Sequence, residues 1–219
     1  IVVGVLYRIT VFLTYYNVTI FPDTFGYQNL ANYFVANGLK GYDGTRTLGY
    51  PLFILLAFGK NSILIIYQFI LGIITWLFWY NSLLNLNFRK KQSFYITLFL
   101  GSFIHTFFFE TAILIESVTL FFMSWIFYLI SDGFLNDDSK RQNYLMAFLL
   151  SYLVILKPFF FFFFFVLYGA FILSDFNIRK FINHKIIILF STVFTYLGIS
   201  YINKINTGYF VSTTYFGLN

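Results

Sequence analysis

The chain contains no cysteine, so neither a disulfide framework nor a thiolate-bound metal can hold it together, and the redox compartment cannot be read from it. Charge is scarce as well. Only 10% of the residues are Asp, Glu, Lys or Arg against 59% hydrophobic, which leaves too little polar surface to cover a water-soluble fold. A glycine-rich phosphate loop is missing, and with it goes support for a nucleotide-dependent cytoplasmic enzyme. Strand-like alternation is missing too. In hydrocarbon every backbone amide must be satisfied within the chain, so long unbroken apolar runs select helices. The expected fold is all-α, a polytopic transmembrane helical bundle.

The sequence opens at Ile1 without methionine and breaks off in a Gly/Asn stretch after Tyr215, so a fragment of a longer protein is expected. Phenylalanine is abundant, with seven in a row at Phe159 to Phe165, a bias that AT-rich codon usage explains without invoking function.

A spanning helix needs about 20 apolar residues. Candidate spans lie near 1–21, 61–85, 93–112, 114–132 and 186–203, and the stretch 144–174 can be one long helix or two short ones. Three connections are basic: Arg89, Lys90 and Lys91; Lys140 and Arg141; Arg179, Lys180 and Lys185. Short cytoplasmic loops collect such charges. Holding the second and third connections on one side requires an even number of crossings between them, hence a hairpin turning at Lys157-Pro158. About seven spans result, with the first entering from the cytoplasm. Trp76, Trp79 and Tyr80 then fall where an aromatic belt is expected. The division is a first span (1–21), an outer loop (22–60), spans two to seven (61–203) and an outer segment (204–219), all within one module.

The outer loop is patterned. Pro22 stops the first helix, Asp23 can cap a new one, and Tyr27, Leu30, Ala31, Phe34 and Val35 follow at helical spacing before Asn37-Gly38. This predicts an amphipathic surface helix. The apolar run Tyr50 to Phe58 is too short to span and predicts a second interfacial or re-entrant helix.

Ionisable groups in or beside a span are costly, so each is a functional candidate until a cheaper explanation is found. Asp23 has capping as that explanation. Lys157 has snorkelling. Arg8, inside the first span, needs an internal partner or a water-filled cavity. Glu110 and Glu116 bracket the turn between spans three and four, with His105 shortly before them, and Glu116 lies in an apolar helix where solvation alone explains little. Asp23, Arg46, Glu116 and Lys157 are all expected at the outer face, a set suited to an anionic lipid headgroup. His105 and His184 are expected on opposite sides and cannot share a metal. The Asn17-Val18-Thr19 sequon lies within a span, which disfavours glycosylation, and Asp137-Asp138 reads as a solvated cytoplasmic turn.

In order, these segments resemble the integral-membrane glycosyltransferases of the GT-C fold, in the branch related to protein O-mannosyltransferases and the lipid A aminoarabinose transferase. The first span carries Arg8. Pro22-Asp23-Thr24 with Tyr27 looks like the family's PDSxxY outer loop. Arg46-Thr47-Leu48-Gly49-Tyr50-Pro51-Leu52 looks like its R-x-P-G-Y-P-L segment, with Leu48 in place of the first proline. Ile115-Glu116-Ser117 resembles the glutamate motif of the fourth span, and Lys157-Pro158 stands where Arg-Pro or Lys-Pro is common. Gly208-Tyr209-Phe210, Ser212 and Gly217-Leu218-Asn219 resemble the segment after span seven, with Leu-Asn replacing the usual Asn-Leu.

The resemblance implies transfer of a sugar from a polyprenyl-phosphate donor to an acceptor on the outer face of a membrane, expected to be the bacterial inner membrane. Asp23 is the implied base, Lys157 and Arg46 the donor-phosphate ligands, and Glu116, Tyr27, Tyr50 and His105 the residues at or behind the acceptor. The implied partners are the lipid-linked donor, membrane lipid and an unidentified acceptor, not nucleic acid. The residues specify no cofactor and give no support to a divalent cation. The alternative is a flippase or transporter of lipid-linked sugars or small molecules, for which internal repeats and mid-depth polar groups would be the signature. A third reading is a non-catalytic membrane subunit.

Overall fold

The computed structural model describes residues 2–14, 16–135, 139–175 and 185–217. Among them regular structure is helical apart from one isolated bridge between Thr19 and Ala112. The helices are α1 (Val2–Thr14), α2 (Pro22–Asn37), α3 (Gly49–Leu55), α4 (Asn61–Asn85), α5 (Lys90–Gly101), α6 (Ile104–Thr111), α7 (Glu116–Ser131), α8 (Lys140–Leu156), α9 (Phe161–Asp175) and α10 (Ile186–Thr207). Short 3-10 turns lie at Pro158–Phe160 and Thr214–Gly217. The chain divides into two compact units: Ile1–Phe25 with Phe53–Asp132, and Gly26–Leu52 with Gly133–Asn219.

In the first unit α1 and α4 run antiparallel. Gly4 meets the Trp76 ring, Arg8 lies against Gly72, and Phe12 stacks on Phe69 with ring centroids 4.1 Å apart. The Gln68 amide of α4 donates to the carbonyls of Glu110 (3.0 Å) and Ala112 (2.8 Å) just before α7 begins, while Asn85 at the far end of α4 donates to Asp132 after α7 (3.3 Å). Helices α4 and α7 are therefore parallel, and α5 with α6 makes the return. That return bends by 57°. Local hydroxyls bond across the break: Ser102 Oγ donates to the Phe99 carbonyl (2.9 Å), and Thr106 Oγ1 to the carbonyls of Phe103 (2.7 Å) and of Gly101 at the end of α5 (3.2 Å).

In the second unit the Lys185 ammonium donates to Asn143 Oδ1 (3.0 Å) and to the Phe134 carbonyl (2.9 Å), and it sits 3.9 Å from the Phe134 ring centroid. This joins the N-terminal ends of α8 and α10, which consequently run the same way. Helix α9, which links them in sequence, runs back the other way, while α8 and α10 pack directly on each other. Phe161 at its start stacks on Tyr196 of α10 (4.7 Å), and its Tyr168 hydroxyl donates to the Lys185 carbonyl (2.8 Å). The reversal occurs at Lys157-Pro158, the dipeptide at which the charge pattern sets the hairpin. Lys157 is extended (φ −142°) and Pro158 opens the 3-10 turn, as expected where a proline lacks its amide and disfavours helix at the residue before it.

Helices α4, of 25 residues, and α10, of 22, are long and apolar enough to cross a membrane, and the bent α5–α6 pair makes a third if it counts as one span. The other expected spans are shorter. Helix α1 has 13 residues, α7 has 16 and α8 has 17, about 20–26 Å at 1.5 Å per residue against a hydrocarbon core of about 30 Å. The expected helix over 1–21 stops at Thr14 because the chain becomes extended to pair with 111–113. Thr19 N–H donates to the Thr111 carbonyl (2.9 Å), and the Ile113 N–H donates to that of Thr19 (3.2 Å). Apolar side chains cover the outside of α9 and α10, as Phe194 (79% exposed), Val166 and Phe190 show, which suits contact with lipid rather than water.

Three further expectations are corrected. Trp76 is buried in the first unit rather than turned outward as a belt residue would be. Lys185, counted with a basic cytoplasmic connection, is buried. The apolar stripe of α2 is narrower than predicted, since Tyr27 and Ala31 are buried but Leu30 is half-buried and Val35 is 75% exposed. The predicted end of α2 stands where Gly38 takes a positive φ of 61°. Arg179, Lys180, His184, Asp137, Asp138, Leu218 and Asn219 lie outside the described residues.

Candidate functional site

The sequence-predicted residues fall into the two units. Asp23, His105 and Glu116 belong to the first; Tyr27, Arg46, Tyr50 and Lys157 belong to the second.

The second unit brings its four together through backbone as much as side chain. Tyr27 and Tyr50 are both buried, with ring centroids 5.1 Å apart and planes nearly perpendicular, and the Arg46 guanidinium lies 5.5 Å from the Tyr27 centroid and 6.0 Å from that of Tyr215. Cation–π contact of this kind holds a guanidinium in place without neutralising it. The Thr47 hydroxyl, next to Arg46, donates to the carbonyl of Leu156, next to Lys157 (2.6 Å). The Tyr152 hydroxyl donates to the Gly49 carbonyl (3.1 Å). Gly49 is pressed so closely on α8 that a Cβ there would stand 2.7 Å from the Leu156 nitrogen. Two cationic segments remote in sequence thus share one junction.

The loop carrying Arg46 is anchored along its length. Asp43 accepts from the Thr45 amide (3.0 Å) and hydroxyl in an Asx turn. The Gly44 carbonyl accepts from the Thr214 amide (3.0 Å) and the Thr213 hydroxyl (3.1 Å), and the Gly41 amide donates to Asn206 Oδ1 (2.7 Å). The Tyr42 hydroxyl donates to the Arg46 carbonyl. Burial, reinforced by the adjoining Asp43 carboxylate, pushes the Tyr42 phenol up, so it remains a donor. Tyr42→Phe should cost about 1 kcal/mol and loosen the loop, measurable as a lower midpoint of thermal unfolding. A cleft of about 350 Å³ opens beside Arg46, lined also by Gly26, Asn29, Tyr33, Tyr42 and Asp43.

In the first unit Arg8 finds the internal partner that its position requires. It is fully buried and ion-paired to Glu110, itself 4% exposed, and its guanidinium carbon lies 4.9 Å from both the Trp76 and Phe107 ring centroids. Gly72 makes room for the pair, since a Cβ there would overlap both side chains. A cavity of about 240 Å³ adjoins it, lined by Arg8, Trp76, Trp79, His105, Glu110, Glu116 and Ser117. His105 is exposed and Glu116, the first residue of α7, is half-buried.

Asp23 lies exposed in the first turn of α2, where the helix dipole favours a carboxylate. Thr24 supplies the neighbouring cap: its hydroxyl accepts from the Phe21 amide (3.0 Å) and donates to the Ile113 carbonyl (3.0 Å).

No family profile, curated protein or solved structure matches the chain. Its residues alone carry the functional argument. Among the described residues no group of three or more His, Cys, Asp or Glu is arranged to hold a metal ion.

Sequence reasoning flagged Arg8 and Glu110 separately without pairing them. Their opposite charge within apolar spans was the available signal. The Lys185 lock on Asn143 and Phe134 and the role of Gln68 left no such signal, because apart from the Asn143 side-chain amide their acceptors are backbone carbonyls, which every residue possesses.

Proposed function

We propose that the protein is an integral-membrane glycosyltransferase that moves a sugar from a polyprenyl-phosphate donor to an acceptor on the outer face of the membrane. Asp23 takes the proton from the acceptor hydroxyl, whose oxygen attacks the anomeric carbon from the face opposite the phosphate. The carbon–oxygen bond to phosphate breaks with inversion, and polyprenyl phosphate leaves as a stable anion needing no acid. Arg46 and Lys157 stabilise the charge that the phosphate gains. Glu116, His105, Tyr27 and Tyr50 serve the acceptor side or support these groups.

The observation that carries the reading is the Thr47–Leu156 bond, which joins the Arg46 segment to the Lys157 segment, the two stretches to which the resemblance gives the donor phosphate. Asp23 enters from its sequence pattern. In a donor-consumption assay, Arg46→Gln and Lys157→Ala should each raise the donor KM about 10-fold or more, the loss of a charge-assisted contact, while the acceptor KM changes little. Unchanged donor KM in both variants would remove the phosphate assignment.

The same reading takes seven crossings with the bacterial inner membrane as the site. Because the chain has no cysteine, single cysteines at the exposed Asn37, Lys140 and Phe159 report sidedness cleanly. They should label from outside, inside and outside respectively, and inside labelling at Phe159 would overturn the seven-span topology.

The competing reading, a flippase or transporter, draws on the buried Arg8–Glu110 pair and its cavity. It differs in outcome: a transporter moves the lipid-linked sugar into sealed vesicles intact, with the phosphate bond unbroken.

A further inference from the structure

The two ends of α4, the longest apolar helix among the described residues, are built alike. Besides glycine, only Phe58 (φ 51°) and Asn87 (φ 65°) take a positive φ among the described residues, a conformation unfavourable to any residue with a Cβ and most of all to a bulky one. Phe58 lies just before α4 and Asn87 just after it. At each end an exposed phenylalanine, Phe58 (82%) or Phe88 (42%), stands beside exposed cations: Lys60 at the first turn, Arg89, Lys90 and Lys91 at the second. The 25 residues between them rise about 37 Å at 1.5 Å per residue. That exceeds a hydrocarbon core of about 30 Å and fits within the roughly 40–45 Å of a whole bilayer, so both turns reach the headgroups. Aromatic rings and basic side chains are what that zone favours.

The ends differ in charge. None of Arg89, Lys90 and Lys91 is ion-paired to a described residue. The acid at that end of the first unit is Asp132, which accepts from Asn85 (3.3 Å), so the second turn keeps a surplus of positive charge. Nor do the three cations serve the helix that they open. Arg89 is the N-cap of α5, Lys90 and Lys91 follow it, and the first turn holds no acid, so all three face the positive end of the helix dipole. Cations set against the local preference and left without counter-charge suit an anion from outside, and the anion at headgroup depth is lipid phosphate. We propose that the turn from Leu86 to Lys91 is a docking site for anionic phospholipid. Its headgroup meets Arg89, Lys90 and Lys91, and its chains lie against the exposed Leu86, Phe88 and Tyr95. The topology above makes this the cytoplasmic leaflet; the docking itself does not depend on that side or on the transferase reading.

The other end of α4 supplies the control, with the same geometry and a single cation. Because the chain has no cysteine, a bimane fluorophore can be placed on Tyr95→Cys, one turn beyond Lys91, or on Leu56→Cys, beside Phe58, both exposed positions. Full-length protein would be held in phosphatidylcholine nanodiscs containing a small, equal fraction of nitroxide-labelled phosphatidylglycerol or nitroxide-labelled phosphatidylcholine. At Tyr95→Cys the anionic lipid should quench at least about twofold more than the zwitterionic one, and at Leu56→Cys the two should quench nearly alike. Replacing Arg89, Lys90 and Lys91 by glutamine should remove the excess. High salt should reduce it in the unsubstituted turn, which keeps the test open should the triple variant not fold. Equal quenching by the two lipids at Tyr95→Cys would overturn the proposal. So would an excess that survives both the triple replacement and high salt, or one of the same size at Leu56→Cys. Both leaflets of the nanodisc hold the same lipids, so an error in sidedness would leave this result unchanged and would appear in the cysteine labelling instead.

Discussion

Replacing Arg8 by methionine is expected to lower stability by about 3–5 kcal/mol, because it leaves the Glu110 carboxylate buried beside Gly72 without its counter-charge. Glu110→Leu should do comparable damage by stranding the guanidinium, which then has aromatic rings but no anion next to it. The two losses will not add. Removing both charges together, as Arg8→Met with Glu110→Leu, takes away the desolvation penalty along with the attraction, and such double replacements of buried pairs are often close to neutral. Thermal unfolding of the purified protein in nanodiscs would show both single variants well below the native midpoint and the double variant near it. A pair of single variants that melt like the native protein would contradict the assignment of this contact as the electrostatic centre of the first unit.

Gly49→Ala should have the largest effect on donor handling of any uncharged substitution. The new Cβ would lie 2.7 Å from the Leu156 nitrogen and 2.9 Å from the Ile155 carbonyl carbon. Both neighbours are backbone atoms of α8 and its end, so no side chain can rotate aside, and the loop itself must lift. Overpacking of this kind costs about 1–3 kcal/mol. Lifting the loop breaks the Thr47–Leu156 bond and carries Arg46 away from the Lys157 segment. The donor KM should therefore rise by about tenfold or more, as when a charged contact is lost outright. Gly38→Ala, at a glycine with no atoms within 4 Å of the added Cβ, gives the comparison: strained backbone, but no displacement of Arg46.

Much of this architecture was legible in the residues, and the legible parts share a cause. Composition requires helices because hydrocarbon offers backbone amides no other partner. The turn at Lys157-Pro158 follows from the stereochemistry of proline, which acts locally. Ends such as Asn37-Gly38 are local signals as well. What could not be read were the long-range pairings. Nothing in Asn17-Val18-Thr19 announces that the first helix ends early so that Thr19 can bond to residues 111 and 113. Hydropathy saw one apolar run in residues 93–112, but the 57° bend at its centre is held by the hydroxyls of Ser102 and Thr106, which elsewhere sit within straight helices.

The candidate site shows the same division. Motif order made Arg46, Lys157, Tyr27 and Tyr50 visible, and the spacing within α2 and the short apolar run from Tyr50 anticipated helices beneath the tyrosines. Their junction rests on a threonine hydroxyl, a carbonyl and a missing side chain at Gly49, which are too common to stand out in a sequence. In the first unit the isolated charges were conspicuous, whereas Trp76 and Ser117 read as an interfacial aromatic and part of a glutamate motif. Only the fold brings them to one cavity beside the Arg8–Glu110 pair.

The measurement that bears most directly on the central claim is donor consumption by the full-length protein in membranes. A panel of radiolabelled polyprenyl-phosphate sugars would be supplied with candidate acceptors, and the native protein compared with Asp23→Asn, whose unfolding midpoint should match the native value. The account predicts that the native protein consumes at least one donor, releasing polyprenyl phosphate, and that the asparagine variant consumes none. Equal consumption by the two proteins would remove Asp23 as the base. A native protein that consumes no donor but carries one intact into sealed vesicles would contradict the transferase reading and leave the transporter in its place.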